Sequence, residues 1–167
     1  MEDCGFGAFR EASLLIVGID DILDGEPLGR LFHRFLRDPI PFSGFASMIL
    51  QADELLNRFC FPQAFYQKRH FSKKPIPMRT PQQVAKDPPQ MVYDPFSFYR
   101  LKGEKFTVFI RVICRQNATW QGELVDGVTN EKRLFRSALE LMWLLQELSG
   151  RYAPLSPKEL SALRTRA

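Results

Sequence analysis

From Phe106 to Arg115 the chain alternates without a break. Phe106, Val108, Ile110, Val112 and Cys114 fall on one face, and Thr107, Phe109, Arg111, Ile113 and Arg115 on the other. Side chains of an extended backbone point to opposite sides in turn, so a period of two over this length predicts a strand with one face buried. Gln116-Asn117-Ala118 reads as a turn. A second alternating run sets Trp120, Gly122 and Leu124 opposite Gln121, Glu123 and Val125, and Asp126-Gly127 closes it with a strong turn signal. From Leu134 to Leu148 the apolar period lengthens. Phe135, Leu139, Met142, Leu145 and Leu148 form one stripe, widened by Ala138 and Leu141, which predicts an amphipathic helix with Gly150 as its stop. Residues 105–150 therefore read as a ββα unit.

The first part of the chain has the same outline. Ser13–Leu23 is an apolar, β-branched run and Asp24-Gly25-Glu26-Pro27 a turn. Leu28–Leu36 alternates loosely and is the expected returning strand. Pro39 and Pro41 interrupt the chain, and Ser43–Phe59 has helical spacing, with Phe45, Ile49, Ala52, Leu55, Leu56 and Phe59 on one face and Ser43 as the expected N-cap. The two halves overlay: Phe42 on Phe135, Ala46 on Leu139, Ile49 on Met142, Ala52 on Leu145, Glu54 on Glu147 and Leu55 on Leu148. The overlay is one of pattern more than of identity. A hairpin with one helix is marginal alone, so the expectation is an α+β fold in which two ββα units share one antiparallel sheet of about four strands, with both helices on one face.

Between the halves, residues 60–104 hold seven of the twelve prolines. Proline removes a backbone donor and disfavours helix at the residue before it, so this connector is expected to be largely irregular. Its aromatics, among them Phe61, Phe65, Tyr66, Phe71, Tyr93, Phe96, Phe98 and Tyr99, favour packing over free coil. The expected division is 13–59 for the first unit, 60–104 for the connector, 105–150 for the second unit and 151–167 for a tail, all within one domain. A short helix is expected in the tail over Ser156–Leu163.

The chain is long enough to bury a core without disulfide or metal: it has 167 residues, 45% of them hydrophobic and fifteen of them phenylalanine. Cys4, Cys60 and Cys114 are odd in number and widely spaced, which suits a reducing compartment and no metal site, with Cys114 expected as a buried thiol. No apolar run reaches membrane-spanning length, and the acidic start Met1-Glu2-Asp3 lacks the basic region of a leader. The expectation is a cytoplasmic protein.

Two stretches carry a resemblance. Arg115-Gln116-Asn117-Ala118-Thr119-Trp120-Gln121-Gly122, followed by Phe135-Arg136-Ser137-Ala138-Leu139-Glu140-Leu141, resembles a family of small, uncharacterised bacterial proteins. In that family an R-Q-N-A-S-W-Q-G strand turn precedes an F-R-S-x-L-E-L helix. Ile19–Arg30 and Phe61-Pro62-Gln63 are similar to it as well. Thr119 replaces the usual serine, and Val125-Asp126 stands where the family continues with an aromatic. The resemblance implies a soluble bacterial protein and implies no activity. Asn117, Trp120, Gly122, Phe135 and Arg136 are read as structural: Asn tolerates a left-handed turn, Trp fills core, and Arg136 with Glu140 makes a helix-surface pair.

No arrangement for catalysis stands out. His33 and His70 have no metal-ligand partners at suitable spacing, no Gly-rich phosphate loop or G-x-S-x-G elbow occurs, and Asp20-Asp21 with Asp24 flank a turn. No cofactor is expected and the chain is read as not an enzyme. A pocket assembled between the helices and the connector would reverse that. Two surface features remain. Trp143 lies with Glu140 and Glu147 on the helix stripe opposite the core, a candidate protein-contact anchor. Lys68, Arg69, Lys73, Lys74 and Arg79, interleaved with Tyr66 and Phe71, form a basic aromatic stretch of the kind that binds single-stranded nucleic acid, and the net charge of +4 permits such a partner. The leading expectation is a binding or adaptor protein acting through protein contacts, with a homodimer formed by strand pairing as one form of it. The alternative is nucleic-acid binding through residues 66–79.

Overall fold

The structure, a computed structural model, describes residues 11–59, 61–62, 64–65, 90–116 and 119–152. Along the chain run β1 (Leu14–Leu23), β2 (Glu26–His33), β3 (Ile40–Ser43), α1 (Phe45–Arg58), β4 (Ala64–Phe65), α2 (Pro95–Phe98), β5 (Phe106–Gln116), β6 (Thr119–Asp126), β7 (Lys132–Phe135) and α3 (Ala138–Tyr152). The fold is α+β. Six strands form one antiparallel path in the order β3-β2-β1-β5-β6-β7, and the two-residue β4 adds a parallel pairing to the far end of β5. The expected sheet of about four strands is therefore too small, and α2 adds a third helix. α1 and α3 do share a face, since both contribute to one core with Leu15, Val17, Ile19, Val108, Ile110 and Val112.

Each half has gained a short third strand. β3 contains Pro41, so Pro39 and Pro41 do not end the sheet there. An edge strand needs no outward N–H, and Pro41 sits on the edge. In the second half Lys132–Phe135 is β7, so the helix begins at Ala138 and not at Leu134. Of the stripe counted from Phe135, Leu141, Leu145 and Leu148 are buried and Met142 packs on the core, whereas Leu139, in the first turn of the later-starting helix, is 54% exposed. Gly150 lies inside α3 and does not stop it. The first-half helix buries Phe45, Met48, Ala52, Leu55 and Leu56. Its N-cap is Gly44 and not Ser43; the carboxylate of Glu26, across the sheet edge, accepts the Phe45 N–H at 3.3 Å.

The repeat is geometric as well as sequential. At the one constant spacing that carries Phe42 to Phe135, the pairing Val17↔Leu31 becomes Ile110↔Leu124 and Gly29↔Phe42 becomes Gly122↔Phe135. The register break at Ile19/Asp21 in β1 recurs at Val112/Cys114 in β5. This bulge corrects the alternation read from the sequence. It adds one residue to β5, so that Cys114 pairs with Gln121 and Arg115 with Trp120. Cys114 is only half-buried, and Arg115 turns into the helix side of the sheet, where it is 3% exposed. Bulge and glycine belong together. A methyl group on Gly29 would strike the carbonyl oxygen of Gly18 and the ring of Phe42, and one on Gly122 would strike the carbonyl oxygen of Arg111 and the ring of Phe135.

Matched geometry implies matched cost. Gly29→Ala and Gly122→Ala are each expected to destabilise the protein by about 1–3 kcal/mol through overpacking. Urea denaturation midpoints of the two variants should fall by similar amounts, and a neutral result at either site would refute the equivalence.

Candidate functional site

The motif Arg115–Gly122 folds onto α1. Arg115 donates from Nε to the carbonyl of Pro62 at 2.8 Å and from Nη1 to Asn57 Oδ1 at 2.8 Å and Asp53 Oδ1 at 3.1 Å. The indole N–H of Trp120 donates to the same Asp53 oxygen at 3.1 Å, and Asn57 donates to its other oxygen at 3.0 Å. This network joins the β5–β6 hairpin to α1 and consumes the groups it contains, so it is a brace. Asp53 and Asn57 gave no signal in the sequence because their partner is 60 or so positions away (counted along the chain) and reaches them only through the bulge. Gly122 and Phe135 pack on one another, and Asn117 lies outside the described residues.

Arg136 and Glu140 do not pair through their side chains. Ser137 Oγ accepts the Glu140 N–H at 3.0 Å while the Glu140 carboxylate accepts the Arg136 N–H at 2.7 Å, a reciprocal cap on α3. Glu140 is thereby occupied. Glu147 accepts from Arg133 and Arg151, both at 3.4 Å. Of the three residues expected on a contact stripe, Trp143 alone projects freely at 62% exposure, one turn from Leu139. Lys68, Arg69, Lys73, Lys74 and Arg79 lie outside the described residues, as do His70 and the tail helix expected over Ser156–Leu163.

The strand ends hold two titratable groups at equivalent places. His33 is buried; its Nε2 lies 3.0 Å from the Ala12 carbonyl, its Nδ1 accepts the Phe35 N–H at 3.4 Å, and its ring stacks on Phe59 at 4.6 Å. Burial pushes its pKa down to about 4, against the opposing pull of the Ala12 carbonyl. In the second half the corresponding residues are Asp126 and Tyr152, joined by a hydrogen bond from the phenol. Burial raises the Asp126 pKa, but hydrogen bonds from Tyr152, Val128 and Thr129 outweigh it and hold the carboxyl below its ordinary value. The adjoining pocket, lined by Asp126, Glu131, Arg133 and Glu147, offers about 10 Å³, space for a water and no ligand.

The larger cavity is on the opposite, outer face of the sheet. Over the first half this face carries Leu14, Ile16 and Phe32, and the end of the connector covers it. Asp94 caps α2 by accepting the Ser97 N–H at 3.0 Å, Pro95 opens the turn, and Phe98 is driven fully into the sheet. Val92 and Tyr93 donate their N–H groups to the Arg34 carbonyl at 3.0 and 3.3 Å, and Arg34 Nε donates back to the Tyr93 carbonyl at 3.1 Å. The described end of the connector thus packs here through Tyr93 and Phe98, while Tyr66 and Phe71 lie outside the described residues. Over the second half the cover is partial: Phe109 packs on the edge of the same cluster and beside Tyr99, and no further cover is found among the described residues. Phe109 and Val125 stand where the first half has Ile16 and Phe32. They floor an open groove of about 280 Å³, with Leu14, Tyr99, Arg111, Glu123 and Asn130 around it. Ile113 and Leu134 on the same face are 60% and 67% exposed. Arg111 Nε is buried without a hydrogen-bond acceptor; the nearer Glu123 oxygen is 3.7 Å away and the other is held by Lys132.

No group of three or more metal-ligating side chains occurs among the described residues. No helix among them is long and apolar enough to cross a membrane. No protein-family model, curated protein or solved structure matches the chain.

Two outcomes follow from the buried groups. Asp53→Ala strands the Arg115 charge inside the brace and is expected to cost about 2 kcal/mol, less than a fully buried pair would because Asp53 itself is partly open to water; a thermal melt measures it. His33 binds its proton more weakly folded than unfolded. Its contribution is complete above pH about 6.5 and is lost as pH falls toward about 4, amounting to about 3 kcal/mol. Urea midpoints across that range should slope in the wild type and flatten in His33→Gln.

Proposed function

We propose that the chain is a non-enzymatic binding module that acts through protein contacts, and that its contact surface is the open half of the outer sheet face. One observation carries this reading. Equivalent halves of a single sheet are treated differently: Ile16 and Phe32 are sealed under the chain's own aromatic turn, while Phe109 and Val125 open onto a groove flanked by exposed Ile113 and Leu134. A contiguous apolar face of this kind is what a protein partner buries. The groove is shallow and is floored by packed aliphatic and aromatic side chains, with Arg111 and Glu123 as its charged groups. That supports recognition over bond-making. Trp143 and Leu139 on α3 give the helix layer a second, smaller apolar feature.

A photoactivatable cross-linker in place of Ile113, in the full chain inside cells, tests the surface. Leu23, exposed on the β1–β2 turn, serves as the control position. Adducts of defined protein mass from position 113, absent from position 23 and untouched by nuclease, are expected. An adduct of twice the chain's mass would identify the partner as a second copy. Equal adducts at both positions, or adducts that nuclease removes, would overturn the reading, the latter in favour of nucleic acid.

A further inference from the structure

The internal repeat shows what kind of segment this sheet face accepts. In the first half the occupant is visible: a single capped turn whose Phe98 is wholly buried on Ile16 and Phe32, flanked by Tyr93 and Leu101. It is fixed by an arginine, Arg34, whose Nε–H reaches the Tyr93 carbonyl. The second half repeats the receiving surface with Phe109 and Val125. It also supplies an arginine beside it, Arg111, whose Nε has no acceptor. Resting on the surface proposed above, we infer that the open groove receives a short peptide segment of another protein resembling the chain's own Tyr93–Leu101 turn. Its aromatic side chain seats on Phe109 and Val125, and a backbone carbonyl of the segment accepts from the outer, Nη end of the Arg111 guanidinium.

The chemistry of the groove selects this occupant. Its floor is apolar, so a large aromatic gains most by burial there, as anchors at protein contacts do. Tyr99, half-exposed and 5.8 Å from Phe109 between ring centres, forms one wall and offers a tilted aromatic contact. Arg111 Nε is covered, but the side chain as a whole is 28% exposed beside the groove, and Glu123, 3.7 Å from that Nε, also serves Lys132. A carbonyl or carboxylate oxygen brought by the partner would accept from the exposed end of the guanidinium.

The probe is a synthetic peptide with the sequence of residues 90–102, labelled at one end and titrated with the full-length protein. Saturable binding is expected, weakened at least tenfold when the peptide carries Phe98→Ala. In the protein, Val125→Lys should abolish binding and Arg111→Met, which keeps the aliphatic stem and removes the guanidinium, should weaken it severalfold. The urea midpoint of each variant checks that it is folded. Absence of binding at about 1 mM peptide, or binding indifferent to peptide Phe98 and to both protein substitutions, would overturn the inference. If the peptide fails while position 113 still cross-links to protein, only the nature of the occupant is wrong. If both fail, the surface is wrong.

Discussion

The pairing of β1 with β5 holds the molecule together. Six registered pairs, from Leu14↔Arg111 to Ile19↔Phe106, are the principal backbone link between the halves, and every β1 residue in them is buried. Each half alone is a three-stranded meander with one helix and one uncovered central edge. Joining the two edges antiparallel satisfies both at once and makes Val17, Val108, Ile110 and Leu15 the centre of a common core. It also forces the remaining edges to opposite ends of the sheet, where β3 and β7 meet them differently. At the same repeat position β3 has Pro41, which closes an edge, and β7 has exposed Leu134, which does not.

Much of this was legible in the sequence. Strands β1, β2, β5 and β6, both long helices, the shared face and the overlay of the two halves all follow from periodicity and turn residues. The omissions have specific causes. β3 and β7 are four residues each, too short for a period to declare itself, and Pro41 masks the first of them. The bulge at Val112/Cys114 inverts the alternation beyond it, so strict counting put Arg115 outside and Cys114 inside. The cap made by Ser137 and Glu140 was present as an S-x-x-E pattern, but with the helix started at Leu134 it lay in the wrong place to be read as a terminus.

The candidate surface was not legible at all, and the reason is instructive. Phe109, Arg111, Ile113, Glu123 and Val125 read simply as the second face of two half-buried strands. Whether that face meets solvent or protein depends on where the connector goes, and proline-rich chain carries no periodicity that would say. Only its aromatic content hinted that it packs. The structure places Phe98 over Ile16 and Phe32, and the asymmetry between halves appears once that is known.

Divergence between the halves follows the same division of labour. On the helix side the second half has become more polar at its joints: Arg115 stands where the first half has Ile22, Asp126 replaces His33, and Tyr152 replaces Phe59. Stacking and burial serve the first half at these points, and hydrogen bonds with charge serve the second. Such networks fix geometry more sharply than apolar contacts, because each misplaced group leaves a buried charge or donor unmet. They concentrate under β5 and β6, the strands that present the open face. A sheet sealed on both sides is held in place by what covers it. One left open on one side keeps its shape through the opposite side, and the brace from Asp53 to Arg115 and Trp120 supplies that rigidity beneath one end of the open face.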